Sequence, residues 1–107
     1  MTDIWRSFVA QRISHHLGYF VLFHGCTVWQ ERYADGLQGD FCDEVFGYVN
    51  NHAIRTALMN LDFGQDTDIC QLLAQCYQCL MQHGWVGKDE EPMLECWIRS
   101  LRSLGVV

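Results

Sequence analysis

Gly18-Tyr19-Phe20-Val21-Leu22-Phe23-His24-Gly25-Cys26 is the stretch that decides whether this fold contains a sheet. Residues 19–23 are consecutive apolar side chains, mostly β-prone and of strand length. His24-Gly25-Cys26 breaks the run. Thr27-Val28-Trp29-Gln30-Glu31 offers a second extended piece, and Gly36 and Gly39 mark residues 33–39 as a loop. On propensity, the first run reads as a strand and the second as a possible one.

Outward from this stretch the pattern is helical. Upstream, Thr2 or Asp3 can cap a first turn. Ile4, Trp5, Phe8, Val9, Ile13 and Leu17 recur at helical spacing, and Gly18 supplies the stop. Downstream, Asp40 is placed to cap a short helix with Asp43 and Glu44 in its first turn, where the helix dipole favours anions. Phe41, Val45, Tyr48 and Val49 form its apolar face. Asn50-Asn51 marks a junction before another helix through Ile54, Leu58 and Met59, and residues 61–66 make a turn around Gly64.

Asp66 or Thr67 is expected to cap a clearer helix along Ile69, Leu72, Leu73, Cys76, Tyr77 and Leu80, ended by His83-Gly84. The last helix opens at Lys88 or Asp89 and tolerates Pro92 in its first turn, where amides need no helical partner. Its stripe is Leu94, Trp97, Ile98, Leu101 and Leu104, stopped by Gly105. The pattern therefore predicts an α+β fold, mainly helical, with about five helices and one or two short strands. Residues 1–107 form a single domain or part of one.

Half of the 107 residues are hydrophobic and 13% are aromatic, as expected of a chain that packs a core. The formal net charge of −6 excludes non-specific nucleic-acid binding, which needs a basic footprint. No apolar run approaches the ~20 residues of a membrane span, and the amino terminus lacks the regions of a signal peptide. A soluble, cytoplasmic location is the expectation. The six cysteines read as reduced thiols in core or surface positions.

Several short motifs resolve into plain structural roles. In Cys76-x-x-Cys79 the pair falls late in a helix, away from the amino-terminal end that would lower a redox thiol's pKa. A structural zinc would need two more ligands at similar spacing. Asp66-Thr67-Asp68 spells an acid-x-acid pattern but precedes a helix, where such residues are caps. His15 and His16 point about 100° apart and cannot share a metal on one face. Gln30-Glu31-Arg32 gathers polar groups at the end of an expected strand. The candidate site residues are thus Asp3, Trp5 and Arg6 at the first helix mouth, followed by Trp29, Gln30, Glu31 and Arg32.

Those two stretches carry a family resemblance. Asp3-Ile4-Trp5-Arg6-Ser7-Phe8 with Ala10-Gln11-Arg12, then Gly18-Tyr19 and Val28-Trp29-Gln30-Glu31-Arg32, resembles the later part of the STELLO-type glycosyltransferase-like domain. The likeness continues through Asp40-Phe41-Cys42-Asp43-Glu44-Val45-Phe46-Gly47-Tyr48 and Asn50-Asn51. The Asp-x-Trp opening is also similar to that of the reversibly glycosylated polypeptides.

The resemblance implies the carboxy-terminal part of a GT-A-like domain, the acceptor-side region of a glycosyltransferase, inactive by itself. It implies Asp3 as catalytic base and Trp5, Arg6, Gln30, Glu31 and Arg32 as substrate-binding residues. It places no cofactor in this chain. A divalent metal, a nucleotide sugar and a glycan acceptor are expected for a complete domain. An exposed apolar face is expected where the rest of such a domain, or a second copy in an oligomer, would pack. A small helical interaction module without catalysis is the alternative, and a metal or redox protein built on the cysteines ranks last.

Overall fold

The computed structural model describes residues 2–31 and 36–107. Among them the chain forms α1 (Thr2–His16), α2 (Leu37–Met59), α3 (Ile69–Gln82) and α4 (Glu90–Ser103), and no strand. The stop expected at Gly18 is a Schellman closure: with Gly18 at φ +80°, Tyr19 donates its amide to the Ser14 carbonyl at 2.8 Å and Gly18 to that of His15 at 3.2 Å. α3 ends in the same way at Gly84-Trp85, whose amides go to Met81 and Leu80.

The expected α+β class is corrected to all-α for the described residues. Residues 19–31 carry no regular structure, and Phe20, Leu22 and Phe23 are 94%, 83% and 91% exposed. A strand needs a neighbour to take its amides and carbonyls, and neither apolar run finds one in the other. β-propensity describes fit to a half-buried sheet surface and cannot create that surface.

The helix count falls from five to four because α2 runs unbroken through Asn50-Asn51. Asn50 Nδ2 donates to the Phe46 carbonyl at 2.7 Å, bonding back along the helix instead of ending it. Asn51 Oδ1 accepts the Trp5 indole N–H at 3.1 Å. α2 also begins earlier than Asp40: Gly36 is its N-cap and Asp40 lies in its first turn. Most of the loop expected over residues 33–39 is thereby shortened or falls on residues 33–35, outside the described residues.

The cap of α3 is Asp68, and not Asp66 or Thr67 as expected. Its Oδ1 accepts from the Cys70 amide at 2.9 Å, while Asp66 Oδ1 accepts from the Asp68 amide at 2.9 Å. Both acids of the acid-x-acid motif are thus turn-making groups.

The core lies where α1, α2 and α3 meet. Trp5, Val9 and Ile13, one turn apart on α1, pack with Ile54 and Leu58 of α2, Phe63 of the following turn, and Leu72, Cys76 and Leu80 of α3. Each fully buried leucine or isoleucine contributes roughly 1.5–3 kcal/mol by removal from water. Arg12 fastens this corner: its Nε donates to the Leu58 carbonyl at 2.9 Å and its guanidinium to that of Leu61 at 2.7 Å. Its cation also stands 4.4 Å from the Phe63 ring centroid.

α4 is held differently. It packs against α3 alone and contains no buried residue. Its far end is tied back by Arg102 to Asp68 at 2.9 Å, an exposed ion pair of small energetic weight. The first half of α2 is largely exposed: Phe46 is tilted against Trp5, and the buried side chains of that helix are Ile54 and Leu58 in its second half.

Candidate functional site

The first turn of α1 presents Asp3 and Arg6 one turn apart, both exposed. The Asp3 carboxylate accepts from the Ile4 amide, which holds its pKa below the usual carboxylate value. The group is ionised at neutral pH, as an exposed carboxylate ordinarily is, and the lowering makes it a weaker base, not a stronger one. Trp5, between them in sequence, points the other way. It is buried in the core, tilted against Phe46 with ring centroids 5.5 Å apart, and hydrogen-bonded to Asn51.

Gln30 and Glu31 are exposed in the irregular segment, as is Trp29, and neither polar side chain makes a hydrogen bond to another described residue. Arg32 lies outside the described residues. Asp3 and Arg6 thus share one helical turn, Trp5 supports that turn from the core side, and no hydrogen bond links the residues at 30–31 to it.

Sequence patterning alone did not reveal an open trough that lies beside this turn. α1 and α4 both pack on α3, leaving an open trough of about 670 Å³. Arg6, Ala10 and Ser14 of α1 with Leu17 just after it form one wall, Ile69, Leu73 and Tyr77 of α3 the floor, and Met93, Leu94 and Trp97 of α4 the other wall. Tyr19 and Glu90 complete the rim. The signal available in the sequence was α4 itself, where Trp97 of the stripe and Met93 beside it exceed what a single neighbouring helix can cover. Arg6 joins the two features, since it belongs to both the Asp3 turn and the trough wall.

The cysteines divide by position. Cys70, Cys76 and Cys79 are buried and Cys26, Cys42 and Cys96 exposed, all as free thiols. Burial pushes the Cys76 thiol up to about 12 and raises that of Cys79 as well, the opposite of a reactive pair. Among the described residues no group of three or more His, Cys, Asp or Glu side chains could hold a metal ion. The described residues thus do not fit the divalent metal that the resemblance implies for a complete domain. Nor is any described helix long and apolar enough to cross a membrane.

No curated protein and no solved structure matches the chain. The family model for STELLO glycosyltransferases matches residues 1–107, in agreement with the resemblance carried by the Asp3-to-Arg12 and Val28-to-Arg32 blocks. A match over the whole chain places it: this protein belongs to the STELLO glycosyltransferase family.

Proposed function

We propose that the chain supplies the acceptor side of a STELLO-type glycosyltransferase, completed by a portion that binds the nucleotide sugar. The observation that carries this reading is the family match over the full chain, together with an ionised carboxylate at an exposed helix mouth. In this role Asp3 takes the proton of an acceptor hydroxyl as that oxygen bonds to the sugar carbon and the nucleoside diphosphate leaves. Arg6 stands one turn away, where its cation can hold a polar acceptor group against Asp3. Gln30, Glu31 and Arg32 are the further binding residues in this reading. Trp5 acts as a positioning residue: its bond to Asn51 fixes the turn that displays Asp3 and Arg6.

The test is to supply the nucleotide-sugar-binding portion in trans and measure sugar transfer with Asp3→Asn. Asn keeps the capping capacity of the position, so folding survives. Transfer should fall by about 10²–10⁴-fold, the usual loss on removing a general base. Full activity in that variant would remove Asp3 from the chemistry.

A second reading, a helical interaction module without catalysis, is favoured by the open trough and the exposed first half of α2. It predicts protein binding that persists in Asp3→Asn.

A further inference from the structure

We infer that the acceptor is an amphiphile, a hydroxyl-bearing polar head on one aliphatic tail, whose tail lies along the trough while its head reaches Asp3. The inference rests on the reading of Asp3 as the acceptor-side base and names the class of molecule that base would serve. Helix direction is its first support. His16 at the end of α1 hydrogen-bonds the Asp66 carbonyl oxygen at 2.7 Å, and Arg102 at the end of α4 reaches Asp68 at 2.9 Å. Both helices therefore finish beside the start of α3. At the opposite end, Arg6 of α1 and Glu90 of α4 line one small recess with Leu80 of α3. α1 and α4 thus run side by side against α3, and their first turns lie at the same end of the trough.

The second support is the line on which Asp3 falls. Asp3, Arg6, Ala10, Ser14 and Leu17 stand at i, i+3, i+7, i+11 and i+14, along one face of α1 and its end. All but Asp3 line the trough, so the carboxylate stands one turn beyond the trough's end and in line with it. From Asp3 to Leu17 the line is about 21 Å long at 1.5 Å per residue. The charged lining, Arg6 and Glu90, collects at the Asp3 end. Beyond it the walls are apolar but for Ser14 and two tyrosine hydroxyls. Charge followed by hydrocarbon along one line is the layout of a head-and-tail molecule, and about 670 Å³ is the size of a small-molecule site. A free sugar would meet the charged end and leave the aliphatic walls wet. A tail covers them, and each methylene it buries strengthens binding by roughly fourfold. The head's hydroxyl gives its proton to Asp3 as its oxygen bonds to the sugar carbon and the nucleoside diphosphate leaves, so the tail contributes position alone.

Octyl β-glucoside, held below its micelle-forming concentration, is the probe, and methyl β-glucoside, with the same head and no tail, is the control. Titrated into the full chain, the octyl compound should bind on the order of 100-fold more tightly than the methyl compound. It should shift the indole N–H resonance of Trp97, identified by its loss in Trp97→Phe, and leave that of Trp29 in place. Ala10→Trp on one wall and Met93→Glu on the other both alter exposed positions, so each should keep its far-UV helical signal. Each should weaken octyl glucoside binding by at least about tenfold. Phe20→Ser in the exposed segment should leave that binding unchanged. Equal binding of the two glucosides overturns the proposal. So does a shift at Trp29 instead of Trp97, full affinity in both wall variants, or loss of binding in Phe20→Ser. These measurements read binding and not transfer, so the trough can fail while Asp3 stands as base, and the reverse.

Discussion

α1 and the segment that follows it are both rich in aromatic and aliphatic side chains, yet the fold treats them in opposite ways. Trp5 and Val9 are 5% and 2% exposed, while Phe20 and Phe23 stand almost wholly in solvent. The difference lies in what each backbone can do alone. A helix satisfies its own amides beyond the first turn and gathers its apolar side chains onto one face. An extended run points successive side chains to opposite sides and leaves its backbone groups for a neighbour. Apolar content is therefore no guide to burial until the backbone has a partner.

The contrast can be pressed from its strongest end. Trp5→Ala removes a buried ring and orphans the Asn51 amide oxygen, and should cost about 3–5 kcal/mol in chemical denaturation. A loss below about 1 kcal/mol would mean that α1 is not seated as described. Arg12→Met deletes the donors to the Leu58 and Leu61 carbonyls while keeping much of the stem. A loss of about 2 kcal/mol is expected, measured as a lower urea midpoint at unchanged slope.

Gly18→Ala examines the boundary between the two regions. At φ +80° a Cβ is strained although the surroundings are open, and the cost should be about 1 kcal/mol. A neutral result would show that the closure at Tyr19 is dispensable. Phe20→Ser, on the far side of that boundary, should shift stability by no more than about 0.5 kcal/mol. A larger loss would reveal packing by residues 19–23 and erase the contrast.

What could be read from the sequence follows the same division. α1, α3 and α4 were legible because apolar period and glycine stops agree locally, as at Leu72-Cys76-Leu80 and Gly84, whereas the α3 cap fell at Asp68 and not at Asp66 or Thr67. α2 was not, because the evidence for continuity at Asn51 is tertiary: the indole that it binds lies 46 positions earlier. The strand expected at residues 19–23 does not form because β-propensity supplies no partner for its backbone. At the site, Asp3 and Arg6 were legible as a helix mouth, whereas the trough was not. Its walls come from helices far apart in the chain, and its openness depends on α4 leaning on α3 alone.

The four tryptophans also turn these regions into separate optical channels. Trp5 emits from a dry site with its indole N–H already engaged, whereas Trp29 emits from water and Trp97 from the trough wall. Trp85 lies in parallel stack on His83, with centroids 4.5 Å apart, and carries its quencher with it. Retaining one indole at a time would let a fluorimeter follow the unfolding of the core, the solvation of the free segment and the filling of the trough as distinct spectral events in one small chain.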